Sequence, residues 1–180
     1  VALPGIAFDG VRIVHSTDAL ALPEVPKRLV VIGAGAIGLE LGSVWRRLGA
    51  EVHVIEFLDR IVPGADQQTA GLLRKALERQ GLTFTFKAAA KTARIEGEQV
   101  VVTVEVDGAT REERGDVLLV AVGRRPFSDG LGARELGVAY DERGRITVDA
   151  HYQTSVPGVF AIGDVIAGPM LAHKAEEEGI

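Results

Sequence analysis

The sequence contains no cysteine. A disulfide framework, a thiolate metal site and a cysteine nucleophile are therefore excluded, and any thiol chemistry linked to these residues has to be supplied from elsewhere. Aromatic residues amount to 5%, with a single tryptophan, Trp45, which leaves no platform for stacking nucleic-acid bases. Positive charge is not in excess: 20 Lys and Arg stand against 25 Asp and Glu, a net charge of −5. That balance argues against binding to nucleic-acid phosphates. No apolar run approaches the roughly 18 residues needed to cross a bilayer, so no membrane association is expected. The chain has no initiating Met, and residues 1–5 lack the charged start and apolar core of a signal peptide. It stops inside a helical pattern over 171–178, so both ends are expected to be cuts in a longer protein.

What is present is a 180-residue chain, 47% hydrophobic and 25% charged, the mixture of a globular protein with one domain and a little more. Glycine is abundant, with 22 residues where the average usage of about 7% would give far fewer. Residues 1–26 carry Pro4, Pro23 and Pro26 and read as an irregular lead-in. Residues 29–32 form a continuous apolar run, the pattern of a strand buried on both faces. After Gly33-Ala34-Gly35, the spacing of Ile37, Leu41, Val44 and Leu48 predicts one apolar helix face, ended by Gly49. Residues 52–55 are a second buried strand. Asp66 is a candidate N-cap for a helix over 67–80, and Leu82, Phe84 and Phe86 alternate as a third strand.

The order strand–helix–strand–helix–strand predicts a parallel sheet with right-handed crossovers. Residues 100–106, the turn Asp107-Gly108 and residues 109–114 predict an antiparallel β-meander inserted into it. Residues 117–122 return as a buried strand, and short strands are expected over 146–148 and 159–162. The expected fold class is α/β, a Rossmann-like parallel sheet with the meander, followed by the start of a second unit. The expected divisions are 1–22, a lead-in; 23–122, a dinucleotide-binding domain; and 123–180, a truncated second domain.

Gly33-Ala34-Gly35-Ala36-Ile37-Gly38 is G-x-G-x-x-G. Alone the string is weak, but here it follows a buried strand and opens a helix, the context a dinucleotide requires. Gly33 permits the turn, Gly35 the close approach of a pyrophosphate, and Gly38 the close packing of helix on sheet. The pyrophosphate would lie at the helix N-terminus. Glu56 ends the second strand, 18 residues beyond Gly38. A carboxylate there accepts hydrogen bonds from adenine-ribose hydroxyls and repels a 2′-phosphate, selecting NAD over NADP. The plainer alternative is a glycine turn that only packs a helix, with Glu56 a solvated strand end and Glu40 an acid placed well against the helix dipole.

The string from Gly33 to Gly42, then Arg47-Leu48-Gly49-Ala50 and Val54-Ile55-Glu56, resembles the NAD domain of the dihydrolipoamide dehydrogenases, a family of flavoprotein disulfide reductases. Val122-Gly123-Arg124-Arg125-Pro126, Phe160-Ala161-Ile162-Gly163-Asp164 and the stretch from Met170 to Glu176 extend the resemblance over essentially the whole chain. It implies that Gly33, Ala34, Gly35, Ala36, Ile37, Gly38, Leu39 and Glu40 line the pyrophosphate and nicotinamide side of NAD. It also implies that Glu56 holds the adenine ribose, that Ala90 touches the adenosine end, and that Gly123 lies near the nicotinamide half. Ala90 stands where a Val is common in the family. Asp164 matches the carboxylate that binds the ribityl chain of FAD, and Met170, Leu171, Ala172 and His173 the backbone segment beside the flavin. Read without the resemblance, Asp164 is a turn cap and His173 an ordinary helical histidine.

No catalytic residue is expected in this chain. The family's redox cysteine pair and its catalytic His–Glu pair fall in portions that it lacks, and His173 is not that histidine. The implied parent is an NAD-dependent dihydrolipoamide dehydrogenase that uses FAD. It would be a homodimer serving the lipoyl domains of 2-oxo acid dehydrogenase complexes, in the bacterial cytoplasm or the mitochondrial matrix. The rivals are another two-dinucleotide flavoprotein, such as an NADH oxidase or ferredoxin reductase, and a module that binds NAD(H) without catalysis.

Overall fold

A run such as Leu29-Val30-Val31-Ile32 has no polar face because neither of its faces meets water. In the computed structural model, which describes Val1–Ile180, all four residues are at most 5% exposed. Leu29 and Val31 face one apolar cluster and Val30 and Ile32 the other. Burial of each such side chain contributes about 1.5–3 kcal/mol, so this strand is fixed from both sides.

The contacts divide the chain into two units, Val1–Gly123 and Arg124–Ile180. The first unit runs β1 (Ile13–Val14), α1 (Ser16–Ala19), β2 (Arg28–Ile32), α2 (Ala36–Leu48), β3 (Glu51–Ile55), α3 (Gln67–Arg79) and β4 (Leu82–Thr85). It continues through β5 (Ala88–Glu96), β6 (Gln99–Val106) and β7 (Ala109–Gly115) to β8 (Val117–Val120). Five of these strands form one parallel sheet in the order β1-β8-β2-β3-β4. β5, β6 and β7 form a separate antiparallel sheet. Helix residues Leu39, Trp45, Ala70 and Leu77 pack on one face of the parallel sheet. Val100, Val102 and Val104 of β6 cover the other. The unit is therefore three layers, helices, parallel sheet and meander, with two cores between them.

The strands over 29–32, 52–55 and 82–86 and the α3 helix stand where the patterns put them. The Asp66 carboxylate accepts from the Thr69 amide at 3.0 Å as the α3 N-cap. Three expectations are corrected. Residues 1–22 are not only a lead-in, because β1 pairs with β8 and α1 packs on α2, where the Trp45 indole N–H donates to the Ala19 carbonyl at 3.1 Å. The antiparallel meander is present as expected, as a sheet of its own, with a first strand, β5, that was not anticipated. The buried face of α2 is Gly38, Leu39, Gly42 and Trp45, whereas Val44 and Leu48 are 46% and 56% exposed. Finally, the strands expected over 146–148 and 159–162 are single bridges, Tyr140 with Ile146 and Gln153 with Phe160.

The second unit is built on turns around Val138, Ile146, Ala161 and Ile166, with a 3-10 turn at Gly163–Val165 and a seven-residue helix, α4 (Ala172–Glu178).

The α2 packing depends on Gly38, where a Cβ would lie 2.1 Å from the Gly33 carbonyl oxygen. Neither backbone segment can yield, so Gly38→Ala is expected to cost about 3 kcal/mol or more. The urea midpoint would measure this, and an unchanged midpoint would show that α2 can lift off the turn. A second expectation concerns pH. His53, on the meander-facing side of β3, hydrogen-bonds the hydroxyls of Thr83 (2.7 Å) and Thr85 (3.0 Å). Burial holds its imidazole below the ordinary value; Glu113 opposes this, and Arg28 and Arg111 reinforce it. A histidine kept neutral only in the folded state contributes stability above its unfolded value of about 6.5, and that contribution is lost as pH falls below it. Urea midpoints followed from about pH 8 to pH 5 should therefore drop more steeply for the wild-type chain than for His53→Gln. Parallel slopes would remove His53 from the account.

Candidate functional site: a glycine turn braced by a buried carboxylate

β2 sits where the strand order reverses, with β3 on one side and β8 on the other. In open parallel sheets the crevice at the carboxyl ends of such strands receives ligands. Three glycines shape that point, each differently. Gly33 has φ +104°, and a Cβ on it would lie 2.5 Å from the Ala121 carbonyl oxygen just beyond β8. Gly38 brings α2 onto the Gly33 carbonyl. Gly35 has an ordinary φ of −77° and nothing within 4 Å of its Cβ position. Nothing in the protein itself requires glycine at position 35, and the space in front of it is open. Gly35 is also the N-cap of α2, which has no side-chain cap, so the first amides of the helix point into the same space.

Glu56 follows β3 directly and is only 8% exposed. Its Oε2 accepts from the Ala34 amide at 2.6 Å and its Oε1 from the Leu58 amide at 2.8 Å. Its backbone N–H donates to the Thr85 carbonyl (2.8 Å), and its carbonyl accepts from the Ala88 amide (2.9 Å). The solvated strand end considered from sequence is therefore corrected: the carboxylate is inside, tied to the glycine turn. A carboxylate offers about four lone-pair positions, so two bonds leave acceptor capacity. Sequence reasoning missed the two backbone donors, and no residue type announces them.

The other first-unit candidates separate clearly. Ala36 and Glu40 are exposed, and Gly35 and Ile37 half-buried, so these can meet a ligand. The Leu39 side chain is 4% exposed in the core and cannot. Ala90 lies on β5, half-buried, paired with Val104 beside an irregularity in the ladder. Gly123 has φ +129° with open space at its Cβ position, three residues beyond β8.

In the second unit Asp164 lies in the 3-10 turn, and its carboxylate pairs with the Arg124 guanidinium at 2.5 Å, a partner not anticipated from sequence. Gly163 has φ +72°, and its amide donates to Glu178 Oε2 at 2.8 Å. α4 begins at Ala172, one residue into the helical pattern expected over 171–178. Met170 is half-buried, and Leu171, Ala172 and His173 are exposed.

The sequence pattern of the family described as pyridine nucleotide-disulphide oxidoreductase matches residues 1–179. Dihydrolipoyl dehydrogenase 3 of Pseudomonas putida is 53% identical over 180 residues, covering 99% of this chain and 38% of the relative. The mitochondrial dihydrolipoyl dehydrogenase of Pisum sativum is 50% identical over 181 residues, with 99% and 36% covered. Among solved structures, LpdA of Mycobacterium tuberculosis superposes with a TM-score of 0.87 at 30% identity, over 99% of this chain and 38% of that one. The HOCl-induced flavoprotein disulfide reductase RclA of Escherichia coli gives 0.88 at 28% identity, over 99% and 40%. The chain thus spans less than two fifths of the length of these curated relatives, and its α/β architecture is that of the flavoprotein disulfide reductases. It belongs to the pyridine nucleotide-disulphide oxidoreductase family.

Proposed function

We propose that the chain is the NAD(H)-binding part, with the beginning of a flavin-facing part, of an NAD-dependent dihydrolipoyl dehydrogenase, and that alone it binds NAD(H) without catalysis. The observation that carries the binding reading is Gly35: an unneeded glycine, with open space at its Cβ position, at an uncapped helix N-terminus beside a buried carboxylate. Identity of about half across the whole chain to dihydrolipoyl dehydrogenases supports the choice within the family. The NAD unit takes in Val1–Gly123 rather than starting at residue 23, since β1 belongs to its sheet. Residues 124–180 then begin the flavin-facing segment.

In this reading the α2 amides and the dipole of a 13-residue helix receive the pyrophosphate. Gly35 and Ala36 leave it room, Glu56 accepts from the adenine ribose, Ala90 flanks the adenosine end, and Ile37, Glu40 and Gly123 line the nicotinamide side. Bound NAD supplies a hydride acceptor; the chain supplies orientation. Asp164 and the stretch Met170, Leu171, Ala172 and His173 form one wall for FAD. The parent's substrates would be lipoyl domains of 2-oxo acid dehydrogenase complexes, met by a homodimer. Relatives so named come from bacteria and from mitochondria, which supports bacterial cytoplasm or mitochondrial matrix as its place.

Two outcomes are expected. Calorimetric titration of the chain should give tighter binding for NADH than for NADPH by about 1–3 kcal/mol, the scale of a hydrogen bond to a buried carboxylate gained or lost. Equal affinities would contradict the role of Glu56. Purified chain should also be colourless and give no dihydrolipoamide turnover with added FAD and NAD. It has no thiol to accept substrate electrons, and one exposed wall cannot offset the several kcal/mol lost on immobilising so large a ligand. A yellow preparation with one flavin per chain, or turnover above background, would refute this.

A further inference from the structure

A ribose contact needs a carboxylate at the end of β3, but it does not need that carboxylate to be buried and already engaged. Glu56 joins two backbone segments: the Ala34 amide, 22 positions earlier, and the Leu58 amide, two positions later. Its own main chain is committed as well, to Thr85 and Ala88, so the residue cannot shift without disturbing the junction of β4 and β5. Ala34 is fully buried. Its amide faces no water and would be left unpaired if the carboxylate moved, a loss that a buried donor does not recover elsewhere. The turn is thus held at three points: Gly33 against Ala121, Ala34 by Glu56, and Gly38 against Gly33. Gly35 and the start of α2 follow directly from the middle one.

We propose that Glu56 is a positioning residue for the glycine turn, which presets the pyrophosphate-binding amides in the absence of any nucleotide. This role rests on the NAD reading above and adds to it. A carboxylate already committed to Ala34 and Leu58 does not swing aside for a 2′-phosphate. Preference for the unphosphorylated ribose and affinity for the pyrophosphate therefore come from one side chain and cannot be separated by replacing it.

The test compares the wild-type 180-residue chain with Glu56→Ala and Glu56→Gln, the latter keeping the volume and one acceptor oxygen should the former not fold. Without nucleotide, the Ala34 and Leu58 amides should both exchange with solvent about tenfold faster in Glu56→Ala, and one of the two in Glu56→Gln, while Val31 and Val54 keep wild-type protection and report an intact sheet. Unchanged exchange at Ala34 in Glu56→Ala, or at both amides in Glu56→Gln, would overturn the brace. Calorimetry then uses NADH and an analogue whose adenine ribose lacks both hydroxyls. If Glu56 were only a ribose ligand, the analogue would bind wild type and variants equally, and that result would overturn its part in preparing the turn. The expected result is that the variants also bind the analogue more weakly, by about tenfold, the effect of losing one hydrogen bond to a charged group. A wild-type chain that bound neither nucleotide would remove the NAD reading, while the exchange measurement would still decide the brace.

Discussion

Everything in the first unit is arranged around the need to leave β2 and enter α2 with almost no material in between. The Gly33 carbonyl oxygen fills the space where a Gly38 side chain would begin, and the Gly33 α-carbon faces the carbonyl of Ala121. That approach sets the height of α2 above the sheet. The height in turn allows Leu39 and Trp45 to reach the strands, and Trp45 to bind the α1 carbonyl of Ala19. The uncapped amides at the start of α2 are a consequence of the same geometry. A side chain long enough to cap them would occupy the space that the glycines keep open.

This explains which parts of the sequence were legible. Buried parallel strands announce themselves because both faces exclude water, so 29–32, 52–55 and 117–122 read as unbroken apolar runs, the last ending as a strand at Val120. Asp66 announces α3 because an exposed helix start is most simply capped by its own side chain. The α2 face was misread by about a third of a turn because hydrophobic periodicity counts side chains, and the closest contact of this helix is made by their absence. Gly38 and Gly42 lie against Val31 and Val52, while Val44 and Leu48, which dominate the periodicity, stay exposed.

The meander was half legible for a different reason. β6 alternates into the core, but β5 carries Lys91, Arg94 and Glu96 on its outer face, and β7 carries Glu112 and Arg114 there, with Arg111 and Glu113 on the face toward Thr85 and Arg28. Arg94 and Arg114 each pair with both Glu96 and Glu112. Pairs this exposed contribute little stability individually. They do keep a one-sided sheet and its edge soluble, and so make β5 look like a loop. β1 is shorter still, two residues held by pairing with a strand about a hundred positions later, and nothing local marks it. The pairing of Arg124 with Asp164 is equally non-local.

The acidic excess has a use that composition alone did not suggest. Asp9 accepts from the amides of Val11, Arg12 and Ile13. Asp141 accepts from Arg143 and Arg145, and Asp149 from His151 and Gln153. Glu178 binds the Lys174 ammonium and the Gly163 amide. Burial works against ionisation of Asp9, yet its three amide donors prevail and hold it below the usual carboxylate range. The Arg145 amide does the same for Asp141, the His151 amide for Asp149, and Lys174 first and then Gly163 for Glu178. A carboxylate whose folded value is lowered contributes its stability at neutral pH and loses it as pH falls through that value. Glu56 makes the same kind of bond from inside the protein, to Ala34 and Leu58. The chain thus uses acids where backbone amides lack a partner, on its loops and at its glycine turn alike. At the end of β3 the Glu56 carboxylate does from inside, for the glycine turn, what Asp9, Asp141 and Asp149 do for the loops outside.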